Sequence, residues 1–381
     1  MRITFYSCYM NHHQLPIALE LYKMFGDDYH FVAQYPFNQE RLKLGYVDMN
    51  KQYSFIVRMY ENEQEKKKAL ELAADSDVII HDTSFLDMEE IALINGRLVF
   101  RYSEHVLKKG IKQIINPNSI LRMFRGHFCK KDNDKYRVNM LCASAYKAME
   151  SKLYNEYPNR IYKWGYFPYY KKYTFEELFD YKEHKKVNLL WCGRFLKWKN
   201  VDWIIEIAKY LKKKKIEYVI NLIGEGEEKK KIEERIIEEN LSAYIKIYAG
   251  MNYKAIREYM EQANIYLFLS NHEEGWGVVL NEAMNSGCAV VANRSAGSVP
   301  YLLKNKYNGV TFVNGHLHAL KRKVYRLCRD RNMRELLGWN AYKTIEDSWN
   351  PQQAVNNFVE LCEALMENKS YNRKIGPASK A

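Results

Sequence analysis

Two glutamates, Glu274 and Glu282, have the type and spacing most suggestive of chemistry, because seven residues that include two glycines separate them. The apolar run Leu267–Leu269 precedes them and predicts a buried strand, and a helix is predicted to begin near Val278. Glycines let backbone N–H groups approach a ligand closely, and the amino end of a helix favours an anion. Carboxylates accept hydrogen bonds from sugar and ribose hydroxyls. This setting predicts a ligand site, whereas the spacing alone would indicate a solvated helix face.

A basic loop follows a second predicted strand, Val187–Cys192. It contains Arg194, Lys197 and Lys199. The fork of an arginine beside the point charge of a lysine suits a diphosphate, and either lysine can supply that charge. Ordinary solvated basic residues are the alternative interpretation.

A Gly-x-Gly turn, Gly224 to Gly226, follows a third predicted strand, Tyr218–Ile223. It lacks the third glycine and the acidic residue of a dinucleotide-binding motif. An ordinary strand-to-helix turn is therefore the default interpretation.

Short apolar runs alternate with longer amphipathic runs, which predicts an α/β fold with parallel sheets built from βαβ units. The predicted strands are Arg2–Tyr6, His30–Ala33, Val78–His81, Leu98–Tyr102, Arg137–Ala143, Val187–Cys192, Tyr218–Ile223, Ile245–Ala249, Ile265–Leu269 and Ala289–Ala292. The predicted helices include Ile17–Phe25, Gln64–Ala74, Trp203–Lys213, Lys229–Asn240, Tyr253–Gln262 and Val278–Ser286. Sites of such sheets lie at the carboxyl ends of strands, where the three loops described above are found.

A change in composition around residues 165–184 divides the chain into two parts. We predict an N-terminal Rossmann-like domain at residues 1–168, an interdomain linker at 169–186 and a second Rossmann-like domain at 187–348. Residues 349–367 predict a helix that can cross back to the N-terminal domain. The polar residues 368–381 predict a disordered tail.

Composition limits the class of protein. The 381 residues are 47% hydrophobic and 28% charged, which excludes a largely disordered chain, and 18 glycines with 8 prolines exclude a collagen-like one. The net charge of +13 suggests an anionic partner, namely nucleic acid, an anionic membrane or a phosphorylated substrate. A lysine-rich proteome is the alternative explanation of this charge.

The seven cysteines are scattered and form no C-x-x-C pair, which predicts free thiols in a reducing compartment. A strand is predicted directly after the first residue, and no apolar run approaches about 18 residues, so we expect neither a signal peptide nor a membrane-spanning helix. The expected location is the cytoplasm, with a peripheral position at the inner face of the cell membrane left open.

The three loops, in this order and spacing, resemble those of the retaining family 4 glycosyltransferases (glycosyl transferases group 1) with the GT-B fold. The resemblance is clearest over residues 188–315 and looser in the N-terminal half. Its most specific part is Glu274-Gly275-Trp276-Gly277 followed by Glu282. Other matching segments are Gly193–Lys199, Gly224–Gly226, Gly250, Ala263–Ile265, Asn308–Val310 and Leu141–Tyr146.

This resemblance implies two Rossmann-like domains that face across a cleft, with the acceptor in the N-terminal domain and a nucleotide-sugar in the C-terminal one. It implies that Arg194 and Lys199 hold the donor diphosphate, that Glu274 binds the donor sugar and that Glu282 binds the ribose. His105 matches a family histidine near the donor sugar and completes the catalytic candidates. The remaining predicted donor-binding residues, acting through backbone groups or lying beside the base, are Gly224, Gly250, Met251, Gly275, Trp276, Gly277, Val278 and Val279. The resemblance also implies that no metal is required.

The loop Tyr9–Gln14 departs from the family, many members of which have a glycine-rich loop after the first strand. The departure suggests that Asn11, His12 or His13 contacts acceptor hydroxyls. Capping of the helix that begins near Leu15 is the alternative.

The expected function is therefore that of a metal-independent retaining hexosyltransferase. It would move a hexose or N-acetylhexosamine from a UDP- or GDP-sugar to a glycan or lipid-linked acceptor in the synthesis of bacterial capsule, O-antigen or exopolysaccharide. A GT-B sugar-nucleotide epimerase and an inverting transferase are the alternatives with the same fold. A basic nucleic-acid-binding protein is the non-enzyme alternative, but the lysines at 212–215 and 229–231 lie on or beside amphipathic helices without a recognition module, so no nucleic acid is expected.

A metal-dependent GT-A transferase would need an Asp-x-Asp motif after a strand. Asp75-Ser76-Asp77 precedes a predicted strand, and Asp132-Asn133-Asp134 lies in a polar loop, so neither sequence fits this motif.

The positive charge also fits a surface that binds the anionic inner leaflet. Its candidate contacts are Lys108, Lys109, Arg122, Arg125, Lys130, Lys131 and the aromatic run Tyr162–Tyr173.

Overall fold

The computed structural model describes residues 1–38, 42, 47–82, 84–108, 113, 116–128 and 137–381. The chain divides into two compact units. Unit 1 comprises Met1–Tyr169 together with Ser348–Ala381, and unit 2 comprises Tyr170–Asp347. The described chain therefore begins and ends in the same unit.

Unit 1, in the part that is described, contains a seven-stranded parallel sheet. Its strands are β1 (Ile3–Ser7), β2 (Tyr29–Ala33), β3 (Ile56–Arg58), β4 (Val78–His81), β5 (Leu98–Ser103), β6 (Val138–Cys142) and β7 (Ile161–Lys163), in the order β3-β2-β1-β4-β5-β6-β7. Ile3 of β1 lies opposite Tyr29 of β2 on one side and Val78 of β4 on the other. The central strands are buried along their length and largely apolar, as expected for a parallel sheet covered on both faces.

Helices connect these strands. They are α1 (Leu15–Phe25), α2 (Glu63–Asp75), α3 (Leu86–Ile94), α4 (Pro117–Phe128) and α5 (Ala145–Leu153), with short 3₁₀ helices at Gly26–Asp28 and Met49–Lys51. A proline in the first turn of α1 is tolerated because N–H groups at that position lack an intrahelical partner. The side chains of Asn62 and Ser144 cap α2 and α5, and so fix where these helices begin.

Unit 2 contains a six-stranded parallel sheet in the order β10-β9-β8-β11-β12-β13. Its strands are β8 (Val187–Cys192), β9 (Tyr218–Ile223), β10 (Ile245–Tyr248), β11 (Ile265–Phe268), β12 (Ala289–Asn293) and β13 (Val310–Phe312). Its helices are α6 (Phe175–Asp180), α7 (Asp202–Lys213), α8 (Lys229–Glu238), α9 (Tyr253–Gln262), α10 (Val279–Asn285), α11 (Val299–Leu302), α12 (Leu317–Arg329) and α13 (Arg331–Asp347), with a 3₁₀ helix at Lys197–Lys199. In each unit the strand order reverses once, between β1 and β4 and between β8 and β11, and ligands of open parallel sheets bind at such switch points.

The segment predicted as an interdomain linker, residues 169–186, is largely a packed part of unit 2, so that prediction is wrong. Helix α6 begins with a capping box between Thr174 and Glu177. The Lys182 ammonium donates to the carbonyls of Met260 (3.3 Å) and Glu261 (2.6 Å) at the end of α9. These contacts fix the segment to the end of α9 in unit 2.

The C-terminal segment belongs to unit 1. Helix α14 (Pro351–Met366) places the ring of Phe358 5.0 Å from that of Phe100 and 5.6 Å from that of Trp164. The predicted disordered tail is wrong, because the Lys163 N–H donates to Ser379 (2.8 Å) and the Lys163 carbonyl accepts from Ala378 (2.7 Å). Backbone groups make these bonds along β7, so the polar side chains of the tail carried no signal of them.

None of the described helices combines the length and the apolar character that a membrane span requires. The cysteines that the structure describes are free thiols: Cys8, Cys142, Cys192, Cys288, Cys328 and Cys362. Cys129 lies outside the described residues.

Candidate functional site

Two loops of unit 2 meet at the switch point between β8 and β11. The loop after β8 ends at Asn200, which adopts the left-handed conformation with φ 53°. The Asn200 amide donates to the Leu269 carbonyl (2.9 Å), and the Asn271 N–H donates to the Trp198 carbonyl (3.0 Å). These bonds tie the basic loop to the loop that carries the predicted sugar-binding glutamate.

Lys199 and Glu274 form an ion pair across this switch point. Their side chains are only 11% and 10% exposed, and the Lys199 ammonium also lies 4.3 Å from the centre of the Trp198 ring. Opposite charges attract more strongly when they are partly removed from water. The structure therefore pairs the lysine predicted for the diphosphate with the glutamate predicted for the sugar.

Arg194 lies in the same loop as Lys199, and its side chain is exposed. Within the described chain that side chain has neither a hydrogen-bond nor an ion-pair partner. Its guanidinium therefore remains available to bind phosphate oxygens in a bidentate manner. Lys197, the competing candidate, is likewise exposed.

Glu282 lies on α10, eight positions beyond Glu274. Burial raises the pKa of its carboxyl group to about 7, against the opposing charge of Arg257. Near neutral pH a large share of this carboxyl is protonated, so it can donate as well as accept a hydrogen bond. A ribose hydroxyl can use either mode, but the group differs from the simple carboxylate that the sequence suggested.

The glycine loop after β11 passes close to the end of that strand. At Gly277 φ is +79°, and a Cβ there would overlap the Phe268 ring and come within 3.1 Å of the Glu274 carboxyl carbon. Glycine is therefore required at this position. Four amide N–H groups of the loop find no hydrogen-bond partner in the described structure and remain available to ligand oxygens: those of Gly275, Gly277, Val278 and Val279.

The side chain of Trp276 is part of the core, since it is 1% exposed and its indole N–H donates to Asn281 (2.8 Å). Any role of Trp276 in the predicted donor site is therefore confined to its backbone. The following helix begins at Val279, one residue after the predicted start, and has only seven residues.

The glycines at 224 and 226 have a packing role. A Cβ on Gly224 would overlap the carbonyl oxygen of Gly193, and one on Gly226 would come within 2.5 Å of the carbonyl oxygen of Phe195. The loops after β8 and β9 thus pack backbone against backbone. This packing accounts for both glycines and favours the ordinary strand-to-helix turn over a nucleotide-binding loop.

Gly250 and Met251 follow β10, the edge strand of the sheet. Two strand spacings of about 4.8 Å separate β10 from β8, which places this turn roughly 10 Å from the basic loop. The position of a Cβ on Gly250 would be 3.8 Å from the Glu225 side chain, so the turn lies beside the loop after β9.

Among the residues that the structure describes, no three His, Cys, Asp or Glu side chains are grouped so as to hold a metal ion. Asp77, from the Asp-x-Asp sequence before β4, accepts a hydrogen bond from the Arg2 N–H (2.8 Å). The other such sequence, Asp132-Asn133-Asp134, lies outside the described residues, as do Lys109, Lys130, Lys131 and the side chains of Arg122 and Arg125.

Known proteins match this part of the chain. Residues 175–344, nearly the whole of unit 2, match the family model described as Glycosyl transferases group 1. These residues form a glycosyl transferases group 1 domain. The loops of Lys199, Glu274 and Glu282 all lie within it.

Two curated relatives each align with about half of the chain. An uncharacterized glycosyltransferase of Methanocaldococcus jannaschii is 25% identical over 189 residues, which are 49% of this chain and 47% of the relative. The capsular polysaccharide biosynthesis glycosyltransferase CapM of Staphylococcus aureus is 25% identical over 181 residues, which are 45% of each chain. The chain thus spans about half the length of the curated relatives it matches.

A solved structure resembles the whole chain. HepE of Anabaena, crystallised in complex with UDP, matches with a TM-score of 0.67 and 16% identity, covering 96% of this chain and 100% of HepE. The predicted α/β fold class, GT-B with two Rossmann-like domains, is confirmed by this similarity and by the two parallel sheets.

His105 lies outside the group 1 domain, in unit 1, and is 3% exposed. Its Nδ1 is 2.9 Å from the Ser144 hydroxyl, and its ring packs edge-on against Tyr146. The start of α5 therefore holds this histidine inside unit 1. The candidate donor residues belong to unit 2.

The residues predicted for the acceptor also lie in unit 1. The Asn11 side-chain oxygen accepts from the N–H groups of His13 (3.0 Å) and Gln14 (3.2 Å), so it closes the turn that precedes α1, while α1 itself has no side-chain cap. The rings of His12 and His13 lie 3.6 Å apart.

A cavity of about 260 Å³ lies at the switch point of unit 1, and Asn11 lines it. The sequence analysis missed two of its carboxylates, Asp82 and Glu104. Each follows a strand directly, β4 or β5, so position at the carboxyl end of a strand near the switch point was the available signal. The other polar lining residues are Ser7, Gln14, Tyr102, Ser103 and Tyr166.

A buried polar network, also missed, fixes these two strands. Arg101 on β5 donates two hydrogen bonds of 2.6 Å to Glu89 on α3, and His81 on β4 lies 3.0 Å from the same carboxylate. Burial alone favours the protonated carboxyl, but the bonds from Arg101 and His81 lower the pKa of Glu89 to about 2. Arg101 also donates to the Tyr157 hydroxyl (2.8 Å).

Proposed function

We propose that the protein is a metal-independent, retaining glycosyltransferase that moves a hexose or N-acetylhexosamine from a UDP- or GDP-sugar to a glycan or lipid-linked acceptor. The observation that carries the proposal is the meeting of Lys199 and Glu274 at the switch point of the group 1 domain, with Arg194 unpaired in the same loop as Lys199. A cation and a carboxylate at this edge fit the two halves of a sugar diphosphate. Arg194 and Lys199 suit the phosphates, and Glu274 suits the hydroxyls of the sugar.

The nucleotide preference draws support from HepE, which was crystallised with UDP. A role in bacterial surface-polysaccharide synthesis draws support from CapM, whose name assigns it to capsular polysaccharide biosynthesis. We place the protein in the cytoplasm, with peripheral binding at the inner face of the membrane where the acceptor is lipid-linked.

In the proposed reaction, the bond between the sugar C1 and the diphosphate oxygen breaks, and the nucleoside diphosphate leaves with the bonding electron pair. Negative charge grows on the phosphate while positive charge grows on the sugar ring. Arg194, the Lys199 ammonium and the unpaired amides near Gly277 stabilise the leaving group. The acceptor oxygen bonds to C1 on the face that the diphosphate leaves, and its proton passes to the departing phosphate oxygen, which gives retention.

Binding of nucleoside diphosphates to the whole protein in EDTA tests the donor site. We expect UDP or GDP to bind, and Arg194→Ala to weaken this binding by about tenfold or more because a charge-assisted bidentate contact is lost. Lys197→Ala is the matched control, since it removes an exposed positive charge from the same loop. Equal losses in both variants, or no binding of any diphosphate without metal, would contradict the assignment.

Product analysis separates the proposed transferase from its alternatives. With a donor sugar and an acceptor glycan, NMR should show the anomeric configuration of the donor kept in the product. Inversion would identify an inverting transferase. Conversion of the donor without any acceptor would identify an epimerase.

A further inference from the structure

Unit 2 carries a second concave surface, at the edge of its sheet opposite the donor loops. Helix α7 leaves the carboxyl end of β8 and ends at Lys213, before β9 begins, and α12 ends beside it at Arg329. Between these helix ends lies a cavity of about 730 Å³. Its lining residues are Tyr210, Arg322, Tyr325, Arg326, Arg329, Asp330, Arg331 and Asn332.

Helix α12 has charge of a single sign. It contains five lysines and arginines and no acidic residue. Arg322, Arg326 and Arg329 are spaced by four and three positions, which places them on one face of the helix, and all three are exposed. Like charges at this spacing repel one another and destabilise a helix. Arg326 and Arg329 lie in the last turn, where the helix dipole favours positive charge and offsets part of this repulsion.

These arginines differ from the lysines of α8. On α8, Lys229, Lys230 and Lys231 each form an ion pair with a glutamate. Within unit 2, all of which is described, Arg322 and Arg326 have no hydrogen-bond or ion-pair partner, and Arg329 bonds only to the Tyr325 hydroxyl (3.3 Å). The charge of these three arginines is therefore not neutralised by the protein, whereas Arg331, which also lines the cavity, is paired with Glu183 and Glu335.

Two tyrosines line the cavity and lie near further cations. The rings of Tyr210 and Tyr325 pack edge to face at 5.9 Å. The Lys214 ammonium lies 5.8 Å from the Tyr210 ring and 5.9 Å from the Tyr325 ring, and Lys321 lies 5.9 Å from the Tyr210 ring. The carboxylate of Asp330 at the rim already accepts the Met333 N–H (2.9 Å). Asp330 is the single acidic residue among those that line the cavity, against four arginines.

We propose that this recess is a second anion site, which binds a ligand that carries several phosphate groups and is separate from the donor site. The forks of three arginines match phosphate oxygens, and Lys214 and Lys321, which lie near the tyrosine rings, add positive charge. Neutralisation of the arginines by the ligand relieves their mutual repulsion. The phosphates can come from a soluble oligophosphate or from the headgroups of an anionic membrane.

Binding of inorganic tripolyphosphate by calorimetry tests the site. The test variant is the triple substitution Arg322→Gln, Arg326→Gln and Arg329→Gln. The matched control is Lys229→Gln, Lys230→Gln and Lys231→Gln, which removes the same charge from the same unit where lysines are already paired. We expect the arginine variant to lose affinity by about tenfold or more and the lysine variant by less than about twofold.

Cosedimentation with vesicles separates the two sources of phosphate. If headgroups are the ligand, vesicles of phosphatidylglycerol bind the unaltered protein and the lysine variant, but not the arginine variant, and phosphatidylcholine vesicles bind none of them. If a soluble oligophosphate is the ligand, tripolyphosphate shows this pattern and the vesicles do not. Equal loss in both triple variants, or binding of neither probe, overturns the proposal.

Two measurements distinguish a loss of binding at the recess from damage to the donor site and from misfolding. Nucleoside diphosphate binding should be the same in the arginine variant and the unaltered protein, because the recess lies at the opposite edge of the sheet. The melting temperature of the arginine variant should change little, because removal of the like-charge repulsion offsets the loss of favourable charges in the last turn of α12 and of the Arg329–Tyr325 hydrogen bond. If the triple variant does not fold, Arg326→Gln alone provides the same comparison against Lys230→Gln.

Discussion

At the scale of single residues, the ion pair between Lys199 and Glu274 is the feature that most affects the proposed chemistry. The two side chains neutralise each other in the ligand-free protein. Under the proposed function, a donor diphosphate would compete with Glu274 for the Lys199 ammonium. Binding of the phosphates would then release the carboxylate for the hydroxyls of the sugar.

The change Glu274→Gln should have opposite effects on binding and on transfer. Binding of a nucleoside diphosphate without sugar should tighten, on the order of tenfold, because Lys199 loses its internal carboxylate and about 1.4 kcal/mol corresponds to a tenfold change. Transfer should fall by roughly 100-fold or more, because the contact to the donor sugar is weakened. Calorimetry and a turnover assay measure the two effects.

The control for this prediction is Glu273→Gln, which alters the exposed neighbour of Glu274 and leaves the ion pair intact. Diphosphate affinity should be unchanged in the control. Weaker diphosphate binding in Glu274→Gln would show that the ion pair organises the phosphate site instead of competing with it.

Glu282 gives a prediction about pH. Its pKa is about 7 in the folded protein against 4.5 ordinarily, because of burial. Between these two pH values the unfolded chain has lost a proton that the folded chain keeps, so this group makes the protein less stable as pH rises. Above about pH 7 this decrease in stability is complete, and it amounts to roughly 3 kcal/mol at most.

The change Glu282→Gln removes this titration. The stability of the variant relative to that of the unaltered protein should therefore be greater at pH 8 than at pH 5. Urea unfolding of both proteins at the two pH values measures the difference. A difference that does not change with pH would mean that the carboxyl titrates alike in the folded and unfolded chains.

At the scale of helices and strands, the sequence predicted the interior of both sheets. The bounds of β4, β8, β9 and α9 agree with the prediction at both ends. The strands that were missed, β3, β7 and β13, have three residues each and lie at sheet edges. Three residues are too few for a hydrophobic period, so pairing with a neighbouring strand decides their conformation.

The residues of the candidate site were likewise only partly predictable from the sequence. Residues in a local motif, such as Glu274 and Glu282, could be named from the sequence because their loop combines glycines with a strand and a helix. The pairing of Lys199 with Glu274 could not, since it joins residues 75 positions apart. Helix α6 was missed although Thr174 and Glu177 had the spacing of a capping box, because the surrounding charged residues suggested a linker.

The close packing of the loops after β8 and β9 predicts that Gly224 cannot be replaced. Gly224→Ala should destabilise the protein by several times the cost of Gly96→Ala, since an added Cβ meets the Gly193 carbonyl at the first site and nothing within 4 Å at the second. The control carries only the cost of a left-handed alanine, about 1–2 kcal/mol. Urea unfolding midpoints compare the two, and equal costs would show that the loops can move apart.

At the scale of the whole molecule, the net charge of +13 is not spread evenly. Many lysines of unit 2 are paired with glutamates, as on α8, while α12 has no acidic residue at all. The excess charge is therefore partly concentrated at one recess. The composition suggested an anionic partner, and the recess of unit 2 is the proposed site for it.

The division of the chain predicts how its parts behave alone. Residues 170–347 form a continuous unit that contains the group 1 domain and the loops of Arg194, Lys199 and Glu274. Expressed separately, this fragment should fold cooperatively and bind the same nucleoside diphosphate as the full chain. Thermal unfolding and calorimetry measure both properties.

Residues 1–169 should not fold stably alone, because they lack α14, whose buried Phe358 packs between Phe100 and Trp164. Joining residues 348–381 to this fragment through a flexible linker should restore cooperative unfolding, since it returns both the helix and the tail bonded along β7. A fragment of residues 1–169 that unfolds at the same temperature as the joined form would show that the sheet of unit 1 is stable without its C-terminal helix. Otherwise the last 34 residues are an integral part of the first unit, and the chain must cross between its units twice to complete the fold.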